Sequence, residues 1–564
     1  MKKKPTLDEL TLREKISQTA MLSQNVVFDN FSKSDMAARY IEKNPIGTFH
    51  VLGAGNFGDV HMVDGVAHGF HEKDYVKRYR KWMMELNEHA KIPMLIAADC
   101  EGGVGYAFPQ LSTVPTAGAL GATDDETLAY KKGYQVAKEA TYTGLNWLWG
   151  PPADLSGRLS VMINRGYGDD VEANKKLVAA EIKGMQDAGV AATLKHFPGP
   201  GTEDGRDPHA APSINTTSLK GWESTQKQIY QTAIDVGVCS IMISHAAFPA
   251  VDNSRIGKVY RPSTLSKKVI IDLLKGDMGF QGVVVTDGIG MRGLSLMYEN
   301  INDLHKELIK AGNDVILSVR DIGRYTDAIE QAVLSGEIPE SRIDDACQRV
   351  LDMKEKLGLF TDEPAVVEEV PEALLEQGKK LNKEIAEKSL TLICDDDHKI
   401  PLSKEKVKKV IVFCPNQGFG DEKVELVREV FTREFTARGA QKVEVRKYID
   451  ETKQYEGVDL IPLAEEYDLM IYAPMLGHGC GSYFVGNAYR TMAFSMRHGK
   501  KKSIVISLGS PFLYHDYFCQ ADTYINIYNP LEESLVAVVQ ALYGEIPFAG
   551  KNQFDLIPDF DKEL

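Results

Sequence analysis

The sequence predicts a TIM-type (β/α)8 barrel followed by an open α/β sandwich domain, and three observations carry that expectation. Short apolar runs alternate with longer amphipathic stretches from about residue 40 to about residue 320. The runs are continuous rather than alternating, which is how strands buried on both faces of a parallel sheet read. Reactive side chains gather where those runs end, the face on which a barrel's loops build a site.

Seven runs read as barrel strands: 46–51, 92–98, 145–149, 190–197, 238–245, 282–287 and 314–319. Helical patterns over 125–143, 170–188 and 266–275 separate them, so the units are βα repeats. The nearest closed arrangement has eight strands; one strand is missing from this reading. A helix over 341–357 closes the unit. The acidic, proline-bearing stretch 361–376 suits a solvated linker. Beyond the helix 374–389, six further runs at 390–394, 407–414, 442–446, 469–473, 503–508 and 523–528 again alternate with helices. The expected division is therefore a barrel over 1–360, a linker and connecting helix over 361–388, and a second domain over 389–564.

Composition narrows the class of partner. A chain of 564 residues is too long for one hydrophobic core, and its 43% hydrophobic and 26% charged content is that of a globular protein. A formal net charge of −15 opposes binding to nucleic acid or to an anionic membrane surface, which favours a neutral small molecule. The opening MKKKPTLDELTLREKI has charges and Pro5 where a leader peptide needs an apolar segment. No apolar run reaches the roughly 18 residues of a membrane span. Seven scattered cysteines without CxxC spacing argue against a disulfide framework or zinc cluster, so the expectation is a reduced, cytoplasmic protein. With no metal-ligand spacing and no phosphate-cradling glycine loop, no cofactor and no metal are expected.

The chemistry sits at the run ends. Asp99 follows IPMLIAA, Lys195 and His196 follow VAATL, Ser244 and His245 follow VCSIMI, and Asp287 follows GVVVT. Charges at buried strand ends are costly unless they face a solvated pocket, and several on one face point to a site. Asp287 is followed by Gly288, so nothing shields its carboxylate, and an ionised oxygen held rigidly can attack an anomeric carbon. The loop after Lys195 carries Pro198, Gly199, Pro200, Gly201 and Gly205 and reaches Asp207-Pro208-His209. A carboxylate beside an imidazole is a general acid/base pair, and a solvated loop histidine is the competing reading of His209.

The motifs AADCEGG, INRGYGDD, KHFPGPG, DPH, TLSKKVIIDLLKGDMGFQGVVVTDGIGMRGL and RIDDACQRVLDMKEKLGLF resemble glycoside hydrolase family 3, and within it the bacterial β-N-acetylglucosaminidase branch. EIAEKSLTLI and LYGEIPFAGK extend the resemblance over the second domain. It implies a retaining exo-β-glycosidase acting on a small carbohydrate, with Asp287 as nucleophile and Asp207 with His209 as the acid/base dyad. It also implies that Asp99, Arg165, Lys195 and His196 bind sugar hydroxyls. In two-domain β-glucosidases of the family the acid/base glutamate comes from the second domain; the corresponding stretch here, 474–483, contains no carboxylate. The sequence departs from the branch at Pro200, where a histidine is usual, at Pro208, where a serine is usual, and by one extra residue before the dyad. An arginine common after D-x-E-G-G is absent, and Tyr106 is the expected substitute. A histidine acid/base does not repel an incoming anion, so phosphorolysis stays open beside hydrolysis. A β-glucosidase or β-xylosidase of the same family and a non-catalytic sugar-binding protein also fit these residues.

Overall fold

The computed structural model describes residues 3–24, 34–51, 60–63, 66–69, 74–157, 162–201, 206–361, 368–417, 419–447, 460–477 and 499–556. They form two compact units. The first comprises Met1–Val114, Ala129–Asp154 and Lys175–Gly378; the second comprises Pro115–Leu128, Leu155–Asn174 and Lys379–Leu564.

In the first unit eight parallel strands follow one another around a barrel: β1 (Ala20–Ser23), β2 (Thr48–Val51), β3 (Leu95–Asp99), β4 (Trp147–Pro152), β5 (Ala191–Phe197), β6 (Ser240–Ile243), β7 (Val283–Thr286) and β8 (Ile316–Val319). From β1 to β7 each strand pairs with the next in the chain, and β1 pairs with β8. The ring is joined between β7 and β8 by a parallel bridge from Val285 to Val315, with the Thr286 N–H donating to Val315 O at 3.1 Å. The strand missing from the sequence reading is β1. Its apolar stretch is only Ala20–Leu22, and Gln18, Thr19, Ser23 and Gln24 around it are polar yet buried, so it does not stand out as an apolar run. Met21, Ala97, Trp147, Ala191, Val285 and Leu317 pack together inside the barrel. Helices α1 (Glu126–Thr143) and α2 (Val171–Asp187) fall within a residue or so of the predicted helices.

Helix α3 (Glu340–Lys356) lies across the N-terminal ends of the strands. Lys354 Nζ donates to Gln18 Oε1 at 2.5 Å just before β1, and Arg349 donates to Gly282 O at 3.1 Å just before β7. Arg342 pairs with Asp314, which is fully buried before β8. Asp314 also accepts from Lys275 Nζ at 2.7 Å and from the Val284 N–H at 2.9 Å. A buried carboxylate needs such a set of donors.

The second unit holds a six-stranded sheet: β9 (Thr391–Asp395), β10 (Lys409–Phe413), β11 (Lys442–Arg446), β12 (Leu469–Tyr472), β13 (Ser503–Ser507) and β14 (Thr523–Asn526). The order across it is β9-β14-β13-β12-β10-β11, parallel throughout except that β9 runs against β14. Alternate residues serve two cores. Val410, Val412, Ile471 and Ile506 pack with Val427 and Phe431 of helix α4 (Asp421–Ala437) and Val538 of helix α5 (Glu532–Leu542). Ile411, Phe413, Met470 and Tyr524 line the other face. That two-sided burial is why the runs are continuous in sequence.

The segments Pro115–Leu128 and Leu155–Asn174 precede this domain in the chain but pack within its unit. Asn164 Nδ2 donates to Tyr528 O at 2.6 Å, and the Asp169 N–H donates to Gln553 O at 2.9 Å. A Cβ at Gly121 would lie 1.8 Å from Tyr167 O, so only glycine allows that approach.

Candidate active site

The C-terminal ends of the barrel strands carry the polar residues. β3 ends at Asp99, β5 includes Lys195 and His196, Ser244 and His245 follow β6, and Asp287 follows β7. Because β3 and β7 are four strands apart in a ring of eight, Asp99 and Asp287 rise from opposite sides, with Lys195 on a strand midway.

Lys195 is 1% exposed. Its Nζ lies 2.6 Å from Asp99 Oδ1 and 2.5 Å from Glu101 Oε1, so one buried ammonium is held between two carboxylates. His196 is held from β4's side: Asp154 accepts from its backbone N–H at 3.1 Å and from Nδ1 at 2.7 Å. A carboxylate only accepts, so the His196 proton sits on Nδ1 and Nε2 is the nitrogen turned away.

Asp287 is partly exposed, its backbone N–H donates to Ile243 O at 3.0 Å, and its Oδ1 accepts from the Gly288 N–H at 2.7 Å. Burial raises this carboxyl, but the charges of His196 and His245, the Gly288 N–H and the Lys195 ammonium outweigh it and hold Asp287 below the ordinary aspartate value. The amide and the ammonium act throughout the neutral range; the imidazoles add to them only when protonated. His245 is buried, with Nε2 2.9 Å from Gly288 O and Nδ1 3.0 Å from Thr264 Oγ1. A carbonyl cannot donate, so Nε2 carries the proton and Nδ1 accepts from the threonine hydroxyl. Burial lowers the His245 ring's pKa despite the Asp287 charge.

Asp207 and His209 form one hydrogen-bonded unit. Asp207 is 8% exposed, and its Oδ1 accepts from the His209 N–H at 2.8 Å and from His209 Nδ1 at 2.7 Å. The Asp207 carbonyl accepts from the Ala210 and Ala211 N–H groups, each at 2.9 Å, which closes the turn. The turn is tied to the chain beyond Asp287 by Arg292 N–H to His209 O at 3.1 Å. Because Arg292 and Gly293 follow Asp287 closely in the chain, their backbone bonds to His209 and Pro208 put the dyad at the same end of the barrel as Asp287.

Arg165 lies in Leu155–Asn174, which packs within the second unit. Thr202–Gly205 of the dyad loop and the part of 474–483 from His478 onward lie outside the described residues. Tyr106, the expected substitute for the absent arginine, is 66% exposed. Sequence reasoning missed Asp154 and Glu101. Asp154 had a signal, a carboxylate two residues past a strand end in Trp149-Gly150-Pro151-Pro152-Ala153-Asp154, but the prolines read as a loop. Among the described residues no group of three or more His, Cys, Asp or Glu could hold a metal ion, and no helix is long and apolar enough to cross a membrane.

Comparison with known proteins identifies the family. Residues 11–353 match the model of the glycosyl hydrolase family 3 N-terminal domain. A β-N-acetylglucosaminidase/β-glucosidase of Cellulomonas fimi is 26% identical over 495 residues, covering 83% of this chain and 85% of that one. A β-hexosaminidase of Stenotrophomonas maltophilia is 32% identical over 232 residues, 40% of this chain and 67% of that one. Among solved structures, a family 3 β-N-acetylglucosaminidase from a Paenibacillus species superposes with a TM-score of 0.80 at 25% identity, covering 97% of this chain and 99% of the other. The family model takes in well over half the chain and every strand of the barrel, and so this chain belongs to glycosyl hydrolase family 3 and is a glycoside hydrolase.

Proposed function

We propose that this glycoside hydrolase is a retaining, exo-acting β-N-acetylglucosaminidase that works through a covalent glycosyl-Asp287 intermediate. The observation that carries the reading is the double hydrogen bond from His209 to Asp207 Oδ1, on a turn fastened to the chain just beyond Asp287. The Gly288 N–H occupies Asp287 Oδ1, so Oδ2 is the oxygen that attacks the anomeric carbon. As the bond to the leaving oxygen breaks, His209 Nε2–H gives that oxygen its proton, and Asp207 steadies the imidazolium. The neutral ring then takes a proton from water, whose oxygen attacks the same carbon and releases Asp287. Asp99, Lys195 and His196 hold sugar hydroxyls. The names of the Cellulomonas and Stenotrophomonas relatives support the acetamido sugar.

A second acceptor is favoured by the same dyad. After the first step the ring is neutral rather than anionic, so it would not repel phosphate as a glutamate would. The test is release of nitrophenol from the β-N-acetylglucosaminide and the β-glucoside, side by side, with and without phosphate. Preference for the acetamido sugar is expected, and preference for the glucoside would overturn it. A phosphate-dependent gain with a glycosyl phosphate product would make the enzyme a phosphorylase.

A further inference from the structure

Three polar atoms on the β1, β2 and β4 side of the barrel are fully buried and have no hydrogen-bond partner: Ser23 Oγ, His50 Nδ1 and Trp149 Nε1. Their residues are 3%, 5% and 1% exposed. They belong together. Ser23 is paired with His50 across β1 and β2, and the His50 ring lies 4.4 Å, centroid to centroid, from the Trp149 ring. All three face inward. Phe49 packs edge-on against Trp82 of the outer helix Tyr75–His89, so its neighbour His50 points to the barrel axis. Met21, two residues before Ser23, belongs to the interior cluster, as does Trp149 itself. The charged neighbours of His50 are Asp99 and Lys195, which places it at the edge of the site. Buried polar atoms in native proteins are almost always hydrogen-bonded, and three unpaired ones beside the Asp99–Lys195 pair call for a polar ligand.

We propose that Ser23, His50 and Trp149 form a further wall of the sugar-binding end of the barrel, and that His50 selects the glycone by hydrogen bonding one of its uncharged hydroxyls. The inference rests on the glycosidase site described above and deepens it. Its chemistry follows from the donor inventory. Burial pushes the His50 ring down to about 4, so near neutrality it is uncharged, with one donor and one acceptor nitrogen. A hydroxyl likewise gives and takes. Trp149 Nε1 can only donate and therefore suits a sugar oxygen. The buried ammonium of Lys195 already lies between Asp99 and Glu101, so it is poorly placed to take an anionic glycone.

The experiment measures kcat and KM of the full chain, His50→Phe and His50→Gln on the aryl β-glycoside that it cleaves best and on the 3-, 4- and 6-deoxy analogues of that sugar. His50→Phe keeps a ring against Trp149 and removes the nitrogens. It is expected to lose about tenfold to hundredfold in kcat/KM, the size of one lost hydrogen bond to substrate. One deoxy analogue should already show that loss with the unmodified enzyme and lose nothing further in the variant, and His50→Gln should recover part of it. Equal further losses on every analogue, or none on the parent sugar, would overturn the assignment. If His50→Phe melts early, His50→Gln carries the same comparison. A glucoside-preferring enzyme with this pattern would keep His50 and remove the N-acetyl reading; an N-acetylglucosaminide-preferring enzyme indifferent to His50 would do the reverse.

Discussion

The backbone N–H of Gly293 donates to the carbonyl oxygen of Pro208 at 3.0 Å, which fastens the residue between Asp207 and His209 to the chain six residues past Asp287. A Cβ on Gly293 would lie 2.6 Å from both Pro208 O and Ala211 O, backbone atoms that cannot swing aside. Gly293→Ala is therefore expected to shift the dyad against Asp287. Misplacement of this kind costs up to about a hundredfold in rate. Steady-state kinetics with a poor leaving group checks it, and an unchanged kcat at unchanged melting temperature would show that the turn tolerates the methyl.

Removing the dyad histidine should cost most where the leaving group most needs a proton. His209→Ala is expected to lose about 10²- to 10⁴-fold on alkyl or glycan substrates and much less on dinitrophenyl glycosides. A leaving-group series separates the outcomes: parallel losses across it would remove His209 as the acid.

Asp154 accepts from both the backbone and the ring of His196 and is fully buried. Asp154→Ala would leave two donors unpaired and the ring unheld, so kcat/KM should drop about tenfold to hundredfold. Asp154→Asn keeps one accepting oxygen and should fall between. Full activity of the alanine variant would mean that His196 is positioned by something else.

Stability should weaken on mild acidification. Burial pushes His50 and His305 down to about 4 from 6.5, and the two ring nitrogens of His305 have no partner. Between about pH 4 and pH 6.5 the unfolded chain binds protons that the folded chain refuses, so stability rises with pH across that window and is lost on descending it. Each group accounts for on the order of 3 kcal/mol at the lower end. His305→Phe, beside Tyr325, should flatten the profile; melting temperatures measured from pH 4.5 to 7.5 that fall equally for both proteins would exclude it.

At the opposite end of the barrel, Asp314→Ala should destabilise without touching chemistry. It takes the fully buried partner from Lys275 and Arg342, both largely buried, and leaves them the more exposed Asp345 alone; losing a buried pair of this kind typically costs about 3–5 kcal/mol. Denaturant unfolding measures it, and a change under 1 kcal/mol would mean that the two cations find other partners.

How far the fold can be read from residues follows from burial. β2 to β8 are legible because both faces are covered, which forces continuous apolar runs; β1 is not, because Gln18, Thr19, Ser23 and Gln24 make it polar on paper while being buried in fact. Asp99, Lys195, His196 and Asp287 are legible as charges at strand ends, since charge there has few other uses. His50 is not, because it sits inside a short apolar run and looks like part of it. The unit to which Arg165 belongs is also hidden, for it depends on bonds from Asn164 to Tyr528 and from Asp169 to Gln553 that no local pattern announces.

The bond from Asn164 to Tyr528 spans 364 positions of the chain. A ribosome adding about 5–20 residues per second makes the second of these residues roughly 20–70 s after the first. Through that interval the nascent protein carries the Leu155–Asn174 segment without its partners, although all eight strands of the barrel have been made by residue 319. A chain stalled shortly before Tyr528 would thus hold a finished set of barrel strands and an unanchored Leu155–Asn174 segment, a species for chaperones.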